Sequence, residues 1–344
     1  MPLRARGAPV YGCTSPCKAK VSRARLHSPF TASANGWAVL NVAPMSALRF
    51  EGTYTALVTP FRDEPGAPLD GEALDRLIDS QIDSGVTGLV PCGTTGESPT
   101  LSHKEHSEVI ERTVTRVAGR LQVIAGAGSN STQEAVSLAQ HAERVGADAI
   151  MIVVPYYNRP TQEGLLHHFV EVAKGVRLPI VVYNIPSRTG VDLLPETLAR
   201  ICSYAPNVVA LKEATGNVLR AQRIAQTMGD RIVVLSGDDA LTLPMIAVGA
   251  RGVISVTANL LPQAVAGATR LALHGRADEA RKAHFALMPV HEAMFIEANP
   301  GPIKTALWLR GAMSRAVRSP LCAPSEQNTR LIQNALDAYA KGPA

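Results

Sequence analysis

The sequence predicts an α/β fold, a (β/α)8 or TIM barrel followed by a C-terminal helical appendix, and three observations predict it. Short β-branched runs recur eight times from Tyr54 onward, at a spacing of about 20 to 35 residues, which is the repeat of a parallel sheet. Amphipathic stretches fill the gaps between them. The runs are nearly continuous Val, Ile and Ala, as expected where helices cover one face of each strand and a packed interior covers the other.

Taken in order, the expected strands are 54–59, 88–92, 122–125, 149–154, 180–183, 208–212, 232–236 and 252–255. Helices are expected at 74–84, 105–118, 132–145 and 164–175, where apolar residues return at three- and four-residue steps. Ser102-x-x-Glu105 and Ser131-x-x-Glu134 read as capping boxes at two helix starts. A closed barrel needs roughly 250 residues, which fits 49–274. An open doubly wound sheet would carry a Gly-rich phosphate turn after its first strand, and Thr59-Pro60-Phe61 is not one. Residues 275–344 contain no strand pattern and read as two or three helices interrupted by Pro300, Pro302, Pro320 and Pro324.

Residues 1–48 form a basic, Pro- and Ser-rich extension, with Arg4, Arg6, Lys18, Lys20, Arg23 and Arg25 and no acid before Glu51. Translation starting at Met45 is the first reading of this head, and an organellar transit peptide is the second. No apolar stretch follows its charges, so a secretory signal is not expected. The formal net charge of +5 comes from this head and Arg49, and about −2 remains for the rest, so nucleic acid is not an expected partner. Apolar runs such as 149–155 fall far short of the roughly 20 residues of a membrane span. The five cysteines lack paired spacing, which fits reduced thiols in a cytoplasmic compartment.

In such a barrel the reactive groups stand at the C-terminal ends of strands. Lys212 closes the apolar run Val208-Val209-Ala210-Leu211, where desolvation disfavours the ammonium and leaves a nucleophilic amine. A rim lysine paired with Glu213 is the plainer alternative, but strand alternation sends neighbouring side chains to opposite faces. Gly93-Thr94-Thr95-Gly96 is a small hydroxylated turn whose amides could converge on an anion. The acidic pair Asp238-Asp239 after the seventh strand disfavours a phosphorylated substrate, and its role is otherwise unassigned. His103, His106, His141, His167 and His168 fall in helical segments, which leaves the amine rather than a metal as the activating group. Tyr183 reads either as a packed residue or as a phenolic acid/base, and Arg188 either as solvated surface or as a carboxylate clamp.

Taken together, Gly93-Thr94-Thr95-Gly96-Glu97-Ser98, Pro155-Tyr156-Tyr157-Asn158-Arg159-Pro160, Tyr183-Asn184-Ile185-Pro186-Ser187-Arg188-Thr189-Gly190, Lys212-Glu213-Ala214-Thr215-Gly216 and Ser236-Gly237-Asp238-Asp239 resemble the 4-hydroxy-tetrahydrodipicolinate (dihydrodipicolinate) synthase family of pyruvate-dependent aldolases. The motifs keep their order from about residue 52 to residue 311, and the basic head has no counterpart. The resemblance implies condensation of pyruvate with L-aspartate-4-semialdehyde on the route to diaminopimelate and lysine, with no cofactor. By position it implies an imine on Lys212 and a proton relay of Tyr183, Thr94 and a neighbouring subunit's Tyr157. Thr95 would hold the pyruvate carboxylate, Arg188 the semialdehyde carboxylate, and Ile254 with the Gly237 backbone would line the pocket. A dimer of dimers is implied, with lysine as inhibitor at Ser98, His103, His106, Asn130, Glu134 and Tyr156. Pro99 stands where a small residue such as Ala is expected and would weaken that inhibition. For the histidines a solvated helix face, and for Glu134 simple closure of a capping box, are the plainer alternatives. N-acetylneuraminate lyases and sugar-acid aldolases share the lysine and tyrosine, and Arg188 argues against them. A non-catalytic pyruvate-binding relative would have lost Lys212, Tyr183 or Thr94, and all three are present.

Overall fold

The structure, a computed structural model, describes residues 48–342, so residues 1–47, the Met45 start, Cys13 and Cys17 lie outside the described residues. The strands are β1 Gly52–Ala56, β2 Gly88–Val90, β3 Gln122–Gly126, β4 Ala149–Val153, β5 Ile180–Asn184, β6 Val208–Glu213, β7 Val233–Ser236 and β8 Gly252–Ser255. They form a closed barrel in sequence order, each parallel to the next, with β8 returning to β1. The helices are α1 Gly71–Ile82, α2 His103–Val117, α3 Thr132–Arg144, α4 Gln162–Gly175, the single turn α5 Pro186–Thr189, α6 Pro195–Tyr204, α7 Val218–Met228, α8 Thr242–Ala247 and α9 Pro262–Leu273. Three more follow the barrel: α10 Ala277–Ala293, α11 Gly301–Leu309 and α12 Glu326–Lys341.

Where element ends differ from expectation, a side chain decides. Strand β1 stops at Ala56 rather than 59 because the Val58 amide donates to the Asn259 side chain (3.0 Å) instead of to a neighbouring strand. Helix α1 starts at Gly71 because Asp70 accepts from the Ala73 amide (3.0 Å), a cap that apolar periodicity does not register. The Ser102/Glu105 capping box forms in full, but the Ser131 box does not. Ser131 still caps α3, while the Glu134 carboxylate turns to the Ser129 hydroxyl and to His103 Nε2 at 3.3 Å.

Two apolar layers follow from the alternation of the strands. An outer layer, including Leu89, Ile150, Val182 and Leu211, packs against the helices. An inner layer, including Tyr54, Ile124, Met151, Val181, Ala210 and Ile254, fills the barrel. Each fully buried Leu or Ile contributes about 1.5–3 kcal/mol, so both layers hold the strand ends rigidly. Between β5 and β6 the register slips by one residue: Ile180 is level with Val208, but Val181 is level with Ala210. That slip sets Tyr183 level with Lys212, so that both face inward.

The C-terminal helices reach into the barrel mouth. Lys304 of α11 is fully buried against Glu97 of the β2–α2 turn, Nζ to Oε1 2.5 Å. Arg318 donates its amide to Glu97 Oε2 (3.0 Å) and its guanidinium to Glu105 and to the Ala67 and Thr100 carbonyls. Among the described residues no helix is long and apolar enough to cross a membrane. Cys92, Cys202 and Cys322 are free thiols.

Candidate active site

Lys212 ends β6 with its side chain inward and is 5% exposed. Burial lowers its ammonium to about 8, the Arg188 charge acts in the same direction, and the Asp239 carboxylate opposes both. Its Nζ lies 4.2 Å from the centroid of the Tyr183 ring, and among the described residues neither hydrogen bond nor ion pair reaches it. Glu213 points the opposite way, as alternation requires. It accepts from Arg220 Nε (3.0 Å) and the Thr215 amide (2.8 Å), and Arg220 also binds Asp192.

Tyr183, at the end of β5, is buried, which raises its phenol. The neighbouring Thr94 side chain and the charge of Arg188 work against that rise, so both favour a phenolate. Tyr183, Thr94 and Arg188 share the wall of a cavity of about 250 Å³ with Ser98, Met151 and Tyr156. Lys212 lies outside that wall, against Tyr183. Arg188 itself is exposed, on α5 just after β5.

The Gly93–Ser98 turn is less open to anions than its composition indicates. The amides of Gly96 and Ser98 bond the Gly93 carbonyl, and that of Glu97 bonds the Thr94 carbonyl. Anion binding there falls to the two threonine hydroxyls and the remaining amides. A side chain at Gly96 would press on the Leu57 carbonyl and the Cys92 backbone, within about 3.1 Å, so the turn needs glycine. Thr95 is 3% exposed, and its Oγ1 accepts from Asn299 Nδ2 at 3.0 Å.

Of the two acids after β7, Asp239 is buried and accepts from the Ser255 hydroxyl and the amides of Val256 (2.8 Å) and Thr257 (3.2 Å). It ties the end of β7 to that of β8. Asp238 accepts from the Ala240 amide (2.9 Å) within its own turn. Gly237 passes over the end of β6, where a Cβ would stand 2.6 Å from that of Ala214. Ile254 is buried in the inner layer. Tyr157 is 88% exposed, has φ +70° and does not join the cavity wall, so within one chain it is not brought to Thr94 and Tyr183.

The second set of sequence candidates gathers beside the same cavity. Ser98 and Tyr156 line it. The Tyr156 phenol is raised by burial and by Glu134, with the neighbouring Asn130 and Ser129 acting the other way, and Glu134 pairs with the exposed His103. His106 is buried rather than on a solvated face, and burial lowers it to about 4. Among the described residues no cluster of three or more His, Cys, Asp or Glu could hold a metal ion. Sequence reasoning passed over Asn299, Lys304, Arg318, Arg220 and Asp192. A lysine inside the apolar run Ile303-Lys304-Thr305-Ala306-Leu307 was the available signal, since a lysine is seldom buried without a partner.

Residues 49–339 match the Dihydrodipicolinate synthetase family. The 4-hydroxy-tetrahydrodipicolinate synthase of Sorangium cellulosum (strain So ce56) is 53% identical over 292 residues, 85% of this chain and 97% of that protein. The chloride-inhibited dihydrodipicolinate synthase of Acinetobacter baumannii, complexed with pyruvate, superposes with TM-score 0.83 at 38% identity, covering 85% of this chain and 99% of that one. The enzyme of Cyanidioschyzon merolae, with lysine bound, gives TM-score 0.82 at 37% identity over 85% and 98% of the two chains. Over these lengths and identities the match extends well beyond the barrel fold, and the chain belongs to the dihydrodipicolinate synthetase family.

Proposed function

We propose that this protein is a lyase that condenses pyruvate with L-aspartate-4-semialdehyde through an imine on Lys212. The observation that carries the proposal is a buried amine that, among the described residues, neither hydrogen bond nor ion pair reaches, lying against a buried tyrosine that shares a cavity wall with Thr94. The neutral amine adds to the pyruvate carbonyl, and loss of water leaves the protonated imine. That cation draws electrons from the adjacent methyl, which gives up a proton to form an enamine. The enamine carbon then attacks the aldehyde carbon, and the new alkoxide takes a proton.

Each proton needs a carrier within reach, and Tyr183 with Thr94 is that carrier. Tyr157 of a second copy completes the relay, which makes an oligomer, a dimer of dimers, the working form. The exposure and left-handed backbone of Tyr157 support this, because an aromatic residue held in that conformation with no contact at home fits a contact abroad. Thr95 binds the pyruvate carboxylate, and Ile254 and Gly237 shape the pocket around it. Arg188, exposed at the cavity mouth, takes the semialdehyde carboxylate in its bidentate fork. Lysine inhibits at Ser98, His103, His106, Asn130, Glu134 and Tyr156, in the cytoplasm where the pathway runs. The joining of Glu134 to His103 and of Tyr156 to the cavity wall supports an effector site in contact with the catalytic one. With His106 buried, His103 and Glu134 are the members that face solvent.

The test is to incubate the protein with pyruvate, reduce with borohydride, digest, and locate the adduct by mass. An adduct on Lys212 is expected, and one on any other residue ends the proposal. Turnover of aspartate semialdehyde is then compared with that of sialic acid and keto-deoxy sugar acids, with and without lysine. Arg188→Ala should raise KM for the semialdehyde by about tenfold or more, the cost of a charge-assisted hydrogen-bonded pair.

A further inference from the structure

The inference concerns how the tail of the chain acts on the β2–α2 turn, and it rests on the assignment of Thr95 to the pyruvate carboxylate. Two residues of that turn are gripped by α11 and the turn that leads into it. Asn299 reaches Thr95 and Lys304 reaches Glu97, and all four side chains are buried. The Lys304–Glu97 pair fixes where the turn sits. The Asn299 bond does something more specific, because a hydroxyl has one proton to give and two lone pairs to receive.

Asn299 Nδ2 donates to Thr95 Oγ1 at 3.0 Å, and among the described residues the Thr95 hydroxyl proton has no acceptor. A lone pair is therefore occupied and the proton is left over. Asn299 Oδ1, meanwhile, is buried, and among the described residues no donor reaches it. A carboxylate can only accept hydrogen bonds, and a free hydroxyl can present it either a proton or a lone pair.

We infer that Asn299 is a positioning residue that commits the Thr95 hydroxyl to donating, by occupying one of its lone pairs from the side away from the substrate. The chemistry is the polarity of a single hydroxyl, set from a turn that comes about 200 residues later in the chain.

Steady-state KM for pyruvate separates this role from packing. Thr95→Val should raise it by about 10- to 100-fold, the loss of a hydrogen bond to a charged group, and Asn299→Ala by roughly three- to tenfold. Asn299→Asp, assayed at pH 8 where the new carboxyl is ionised, should raise it more than Asn299→Ala does, because a carboxylate would take the Thr95 proton for itself. KM for the aldehyde should move less than twofold in both Asn299 variants. Thr95→Val combined with Asn299→Ala should be no worse than Thr95→Val alone, since the two act through one atom. If Asn299→Asp binds pyruvate as well as Asn299→Ala or better, or if the double variant is additive, the inference is overturned. Should Asn299→Asp fail to fold, the double variant decides. An unchanged KM in Thr95→Val would instead remove the Thr95 assignment on which the inference stands.

Discussion

Two lysines invite comparison, one at the barrel mouth and one in the C-terminal extension. Lys212 and Lys304 are both buried, both have their ammonium lowered to about 8 by burial, and both hold Nζ close to an aromatic ring, Tyr183 at 4.2 Å and Phe61 at 4.1 Å. Their partners differ. Lys304 is ion-paired with Glu97 and donates to the Ala316 carbonyl at 2.9 Å, whereas Lys212 has only distant charges around it. A lowered pKa alone therefore does not identify a nucleophile. The amine has to be free to lose its proton and reach a carbonyl, and a lysine held in a buried pair is not.

That contrast can be broken by removing each amine in turn. Lys212→Met should abolish the borohydride adduct and turnover altogether while leaving the thermal midpoint unchanged or higher, because no partner is left uncompensated. Lys304→Met should do the reverse: the adduct with pyruvate persists, but stability falls by about 3–5 kcal/mol because Glu97 stays buried without its cation. Differential scanning calorimetry beside mass spectrometry reads both. If the two variants behave alike, the distinction drawn here is wrong.

The pH dependence sharpens the comparison further. In the proposed reaction Lys212 acts as the neutral amine, so kcat/KM for pyruvate should fall about tenfold per pH unit below about 8 and level off above it. In Lys304→Met the midpoint of that limb should stay in place, although Lys304 titrates in the same range. A limb that moves with Lys304 would assign it to the wrong residue.

The smallest effect concerns the outer end of the same C-terminal grip. Arg318 holds the Glu105 carboxyl down at about 2, below its unfolded value of about 4.3. Its contribution is therefore complete above about 4.3 and is lost as pH falls toward 2. Glu105→Gln keeps the capping box and loses the charge pair, which should cost about 1 kcal/mol at pH 7, given its partial exposure. In urea titrations the gap between the two proteins should close between pH 4.3 and pH 2, and a gap independent of pH would show that the pair does not contribute.

Much of the barrel was legible because its signals are local. Strand runs, helix periodicity and the Ser102 cap each depend on residues within a few positions of one another, and every expected strand is present with ends shifted by a few residues. The shifted end of β1 traces to a side chain from elsewhere, Asn259. The spacing of Glu134 allows a cap as the plainer alternative to an effector contact, but His103 and Ser129 offer it partners that spacing does not reveal. The tail was read as an appendix, and its hold on Thr95 and Glu97 spans about 200 residues of sequence.

By itself the sequence determined the repeat and the parallel closure and singled out the candidate reactive groups, since side-chain chemistry and strand alternation are properties of short segments. Alternation alone was enough to separate Lys212 from Glu213. Only the tertiary structure decided which groups meet. A one-residue slip between β5 and β6 sets Tyr183 level with Lys212, Asp239 is drawn into tying two strand ends, and Lys304 is neutralised by a glutamate from the opposite end of the chain. The physical reason is that the reactivity of a buried amine depends on the charges and hydrogen bonds within a few ångströms of it, and chain closure rather than sequence order sets those distances.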